Sequence, residues 1–187
     1  MRILTPLLLY CLLFVACQNA PEGTADAKGT APEKDGVATL LTPNRDTLPY
    51  PVYTSFDEVA PLFEQVGDDE TLVINFWATW CQPCVEELPY FEQLARETDV
   101  RIVMVSLDFK KDVATKLKKF VEERQMKLPV IALADGDYNA WIDRVDPSWG
   151  GAIPVTLILR GNERRFHDTK FDDYDELRTA VAAVSPS

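Results

Sequence analysis

The stretch Val73-Ile74-Asn75-Phe76-Trp77-Ala78-Thr79-Trp80-Cys81-Gln82-Pro83-Cys84 decides the fold. Residues 71–77 are almost all apolar and rich in β-branched and aromatic types, the pattern of a strand buried on both faces. The pair Cys81 and Cys84 follows at once and opens a predicted helix. Two intervening residues let the sulfurs meet across the first helical turn and close a small disulfide ring. The positive end of the helix stabilises a thiolate there. Because the thiolate is the attacking species, Cys81 is the expected nucleophile. Cys84, one turn deeper, is placed to resolve a mixed disulfide by attacking Cys81. Pro83 has no N–H to offer the sulfurs and stiffens the ring.

Other uses of such a pair fit less well. Zinc needs about four ligands, and the folded part offers this pair and one histidine, His167, far along in a predicted edge hairpin. No metal is therefore expected. A c-type haem site needs His after the second Cys, where Val85 stands. A purely structural role is disfavoured because short rings at helix starts are labile. The dithiol itself carries electrons, so no cofactor is implied.

Outward from this centre, strands alternate with helices. Tyr50 to Thr54 reads as a short first strand. Ser55 with Glu58 forms a capping-box pattern, followed by Phe56, Val59, Ala60, Phe63 and Val66 at helical spacing. The helix begun at Cys81 carries Val85, Leu88 and Ala95 on one side and contains Pro89, which should kink it. Val100 to Leu107 is a second buried strand. Asp112 is placed to cap a helix carrying Val113, Leu117, Phe120 and Val121. Pro129 to Leu133 is a short strand, and Tyr138, Trp141, Ile142 and Val145 sit on a short helix. Pro154 to Leu159 and Arg164 to Thr169 form a hairpin about Gly161-Asn162. A last helix aligns Tyr174, Leu177, Val181 and Val184. This order predicts an α/β fold with a mixed central sheet covered by helices on both faces.

The N-terminus stands apart. Arg2 precedes an apolar stretch from Ile3 to Ala16, too short for an ordinary spanning helix and fitting a signal-peptide core. It ends in Phe14-Val15-Ala16-Cys17, which resembles a bacterial lipobox, although Phe14 replaces the commoner Leu. That resemblance implies cleavage before Cys17 and its lipidation, an anchor to a membrane. The alternative is an ordinary secretory signal and a soluble exported protein. Cys11 falls in the removed segment, which leaves one close pair rather than a disulfide scaffold. Residues 18–47, rich in Ala, Pro, Gly, Thr and charged types, show no period and read as a flexible tether. The folded domain then spans 48–187. A net charge of −11 argues against a nucleic-acid partner, which would call for a basic face. The lysines at 110, 111, 116, 118 and 119 read as a solvated helix face.

The Trp-Cys-x-Pro-Cys core between strand and helix resembles the thioredoxin superfamily, specifically the exported, membrane-tethered proteins of the TlpA and ResA kind. The resemblance covers about residues 50–185. It implies a thioredoxin-like fold with a TlpA-like insertion over about 109–134, a segment able to shape partner choice. It implies that Trp80 shields one side of the site. It matches Glu87 to a buried acid that tunes the cysteines and relays a proton; the alternative is a solvated carboxylate, since Glu86 stands beside it. Asn75 takes the place of thioredoxin's own buried acid, which moves that role towards Glu87. Finally, Gly150-Gly151-Ala152-Ile153-Pro154-Val155-Thr156 fits the family's cis-proline loop, where the Ile153 backbone pairs with extended substrate; the alternative is a trans proline opening a strand. Trp149 departs from the usual local pattern and is a candidate wall of the groove or a packing residue.

The function so implied is thiol–disulfide oxidoreduction. The expected direction is reduction of disulfides in exported proteins, apocytochromes c among them. A membrane electron donor of the DsbD or CcdA kind would re-reduce the pair, in the cell envelope facing the periplasm. A thiol oxidase and a redox-inactive chaperone module of the same fold are the rival readings. A peroxidase would want a peroxidatic Cys in its own Thr and Arg environment, and no such pattern precedes Cys81.

Overall fold

The computed structural model describes residues 35–42, 48–64 and 66–184. The expected signal segment with Cys11 and Cys17, and most of the expected tether, lie outside them. The chain divides into two units, 1–30 and 31–187, and all described residues belong to the second. Among the described residues no helix is long and apolar enough to cross a membrane.

The strands are β1 (Val52–Tyr53), β2 (Leu72–Trp77), β3 (Arg101–Ser106), β4 (Val130–Leu133), β5 (Val155–Arg160) and β6 (Glu163–His167). They form one sheet in the order β1-β4-β3-β2-β5-β6. The first four run parallel, while β5 is antiparallel to β2 and β6 to β5. The helices are α1 (Asp35–Leu40), α2 (Gln82–Glu97), α3 (Lys110–Asp112), α4 (Lys118–Arg124), α5 (Ile142–Val145) and α6 (Tyr174–Ala182).

All six residues of β2 are buried, as expected of a strand covered on both sides. Alternation sorts its side chains onto two cores. Val73 and Trp77 join the core with α2 and α6, as do Ile102 and Met104 of β3 and Ile158 of β5. Leu72, Ile74 and Phe76 join the opposite core with Val103, Val105, Leu157, Trp141 and Trp149. The same period turns Asn75 of β2 and its register partner Thr156 of β5 towards the α2 side. The second core is aromatic: Trp141 stacks on Phe56 at 5.0 Å, and Phe76 meets Trp149 at 4.8 Å.

Three local expectations are corrected. Residues 56–66 do not form an α-helix but two 3-10 turns, Phe56–Glu58 and Ala60–Phe63. The Ser55/Glu58 capping box is present, but Pro61 cannot donate within an α-helix. The spacing of Phe56, Val59 and Phe63 also suits a near three-residue turn. Asp112 does not cap its helix. The helix begins at Lys110, passes through a π turn at Val113–Leu117, and continues as α4. Asp112 is buried and its carboxylate accepts from Lys116 Nζ at 3.2 Å. Tyr50 Oη donates to the carbonyl of Val113 at 2.6 Å, giving a π-turn carbonyl an acceptor's partner. Lastly, α1 falls within the stretch read as tether. Leu40 and Leu41 pack on the aromatic core, and Tyr53 Oη donates to Leu40 O at 2.8 Å. Two leucines in a polar stretch were enough to dock it.

Leu88 is fully buried in the α2 core. Leu88→Ala should destabilise the domain by about 2–5 kcal/mol through lost burial and a cavity. The check is a lower denaturation midpoint in urea with an unchanged slope.

Candidate active site

The site forms where β2 ends and α2 begins. Cys81 is the N-cap of α2 and its Sγ accepts from the Cys84 N–H at 3.4 Å. Pro83 stands in the first turn, where a missing N–H costs nothing. The two sulfurs are joined in a disulfide, with Cα atoms 5.3 Å apart. Cys81 is 5% exposed and Cys84 fully buried, so the outer sulfur is the one a partner can reach.

The loop before β5 closes over the disulfide. Ile153–Pro154 is a cis peptide bond, and the Ile153 carbonyl oxygen lies 3.7 Å from Cys81 Sγ. Gly151 in this loop has φ +86°, a conformation that favours glycine.

Glu87 is buried, on α2 one turn beyond Cys84, and residues three apart on a helix are neighbours. Its partner Glu86 is exposed. Glu87 Oε1 accepts from Asn75 Nδ2 at 2.9 Å, and Oε2 accepts from the Phe171 backbone N–H at 3.0 Å. Asn75 Nδ2 also donates to Thr156 Oγ1 at 3.0 Å. Burial pushes the Glu87 carboxyl up to about 7, against the opposing pull of these two donors and of Lys170. The Asn75 Oδ1 atom is buried without a hydrogen-bond partner.

A second polar network holds the approach to Cys81. Asp108, two residues beyond β3, is buried. Its carboxylate accepts from the Thr79 N–H at 3.0 Å, from Thr79 Oγ1 at 2.5 Å and from Ser106 Oγ at 2.8 Å. This ties the loop carrying Trp80 to the neighbouring strand. Trp80 itself is 54% exposed and stacks on Phe109, centroids 5.7 Å apart. A groove of about 190 Å³ opens beside this pair, with Ile153 and Trp149 in its wall.

The structure thus brings Cys81, Cys84, Ile153 and Pro154 together, with Trp80 next to Cys81 in the chain and Glu87 buried one helical turn beyond Cys84. Trp149 both packs in the aromatic core and lines the groove. Sequence reasoning missed Asp108, Phe109, Tyr138 and the Phe171 N–H. Of these only Asp108 left a signal, a Ser-x-Asp pattern at a strand end suited to local hydrogen bonding. His167 lies on edge strand β6, its ring against Phe171 at 4.7 Å. Among the described residues no group of three or more His, Cys, Asp or Glu is placed to hold a metal ion.

Fold and site together define a thioredoxin-like protein with a redox-capable disulfide. The profile of the AhpC/TSA family matches residues 58–164, more than half of the chain, and the chain belongs to that family. It is 42% identical over 111 residues to the thiol-disulfide oxidoreductase ResA of Oceanobacillus iheyensis, covering 57% of this chain and 53% of that protein. It is 30% identical over 100 residues to the thioredoxin-like protein YneN of Bacillus subtilis, covering 51% and 53%. The chain spans about half the length of these curated relatives. The crystal structure of a thioredoxin-family thiol:disulfide interchange protein from Chlorobium tepidum superposes with TM-score 0.51 at 19% identity, over 63% of this chain and 81% of that one. At that identity the likeness is one of fold.

Glu87 gives a pH prediction. Its carboxyl, raised from 4.5 to about 7 in the folded protein, holds its proton more tightly folded than unfolded. Its contribution to stability is therefore lost as pH rises from about 4.5 through 7, by roughly 3 kcal/mol in all. In Glu87→Gln that loss should vanish, and the turned amide of Asn75 can offer its unpartnered Oδ1 to the new donor. Thermal melts of the oxidised wild type and variant across this window check it; equal slopes would contradict it.

Proposed function

We propose that the protein is a thiol–disulfide oxidoreductase that reduces disulfides of exported proteins. The observation that carries this is the Cys81–Cys84 disulfide at the α2 N-terminus, set against the Ile153–Pro154 loop. The similarity to ResA proteins, which are thiol-disulfide oxidoreductases, supports it. In the reduced protein the Cys81 thiolate attacks one sulfur of a substrate disulfide and expels the other as a thiolate. The Cys84 thiolate then attacks Cys81, re-forms the Cys81–Cys84 bond and expels the second substrate thiolate. Two electrons pass from the pair to the substrate, and the departing thiolates take up protons. Glu87, one helical turn beyond Cys84 and with its carboxyl raised to about 7 by burial, relays a proton for the pair. The main chain at Ile153 pairs with an extended substrate, Pro154 holds that loop, and Trp80 covers the side of the attacked sulfur.

The setting belongs to the same proposal. Cys17 is lipidated after signal cleavage and anchors the chain to a membrane in the cell envelope. Residues 18–47 lift the domain, 48–187, into the periplasm, with α1 lying back on it. Residues 109–134 are a TlpA-like insertion. Apocytochromes c are among the substrates, and a membrane donor of the DsbD or CcdA kind restores the dithiol.

The test is trapping. Cys84→Ala should accumulate a mixed disulfide with substrate and lose turnover; Cys81→Ala should form none. The wild-type pair, equilibrated in dithiothreitol buffers, should have a reduction potential below that of glutathione. A potential above it would reverse the direction and favour the oxidase. Binding of unfolded chains with no trapping by either variant would make the domain a chaperone.

A further inference from the structure

The groove beside the disulfide has a composition that the redox chemistry does not require. Among the described residues, four large apolar side chains are exposed: Val52, Trp80, Phe109 and Tyr138. Three of the four line this one groove. Water-exposed apolar surface gathered in this way marks a binding site rather than chance exposure. No charged side chain lines the groove. Trp149 forms part of its wall, and its Nε1–H is already donated to Ala152 O at 2.7 Å. It therefore offers the groove apolar ring and no free donor. Ile142 adds a further aliphatic surface.

Position joins this groove to the reaction. Ile153, in its wall, carries the carbonyl that lies 3.7 Å from Cys81 Sγ, and Trp80 adjoins the nucleophile in sequence. A chain whose cysteine reaches Cys81 must therefore run past the groove. An extended chain advances about 3.3 Å per residue, so a residue within two of the reacting cysteine meets it. A cavity of about 150 Å³ lined by aliphatic and aromatic groups accommodates a benzene ring. At about 190 Å³ this groove takes one aromatic, leucine or methionine side chain, and not two.

We infer that the groove selects disulfides in which a large apolar residue lies within two positions of the reacting cysteine, on polypeptides not yet folded. The last clause follows from burial. In a folded protein such a side chain is normally inside, out of reach of a surface groove. The walls come largely from outside the redox core: Phe109 precedes α3, and Tyr138, Ile142 and Trp149 lie between β4 and β5. Substrate choice is thus carried by segments that leave the cysteine geometry untouched. The inference rests on the oxidoreductase reading above.

The test uses the full chain with a dithiothreitol-maintained dithiol. Substrates are short disulfide-linked peptides with Phe, Leu, Ala or Asp next to the cysteine, and hydroxyethyl disulfide as a side-chain-free control. Burial of one large apolar side chain corresponds to roughly 10- to 100-fold in affinity, and this groove is open on one side. The expected result is at least about a tenfold higher kcat/KM for the Phe and Leu peptides than for the Ala peptide, with the Asp peptide lowest. Phe109→Ala and Tyr138→Ala should each shrink that preference severalfold. Both side chains are at least a third exposed, so truncation does not open the core. Equal rates for all four peptides would overturn the proposal, as would a preference that survives both truncations. No turnover even of hydroxyethyl disulfide would instead overturn the parent reading, and the groove proposal with it.

Discussion

The site depends on the burial of β2 from both sides. Six consecutive buried residues pin this strand between β3 and β5 and between two cores, so its C-terminal end has little freedom. Cys81 follows that end by four residues. The Asp108 carboxylate removes what freedom remains by holding both the N–H and the hydroxyl of Thr79. The disulfide is thereby placed by a strand buried on both faces. The same strand supplies Asn75, whose amide reaches Glu87 only because alternation turns every second residue of β2 towards α2.

Glu87 shows competing terms in one group. Taking a carboxylate out of water is costly, and here that cost exceeds the gain from two good donors, since its carboxyl remains well above its ordinary range. A charge that is almost, but not fully, compensated exchanges its proton near neutral pH. Fuller compensation would fix it as an anion, and none would keep it protonated. That balance suits a carboxyl one helical turn from the disulfide.

The sequence made legible what periodicity and strong local signals control. The double-sided burial of 72–77, the helix at the cysteine pair, the hairpin and the last helix all follow from apolar spacing. So did the mixed sheet. What it concealed was controlled by single residues or by distant contacts. Pro61 turned an apparent helix into 3-10 turns. The π turn at Val113–Leu117 owes its Tyr50 partner to a residue 63 positions away. The Phe171 N–H on Glu87 is a backbone group 84 positions away, invisible to any residue-type argument. Trp149 was legible as an aromatic out of place, while Phe109 and Tyr138 joined it only once the chain had folded.

The result is a site with two unlike sides. Behind the disulfide lie Glu87, Asn75 and Thr156, a buried polar chain in which each hydrogen bond constrains its neighbour. In front lies a groove with no charged side chain, whose Trp149 already donates its Nε1–H to Ala152 O. These two environments make opposite demands on the solvent: the polar side must be sealed for its proton balance to hold, and the apolar side must stay open to be filled. Cys81 stands on the boundary, and the Ile153–Pro154 loop runs between both sides, with Ile153 in the groove wall and Thr156, three residues on in β5, in the polar chain. The same short stretch of chain therefore borders the apolar groove in front and the polar chain behind.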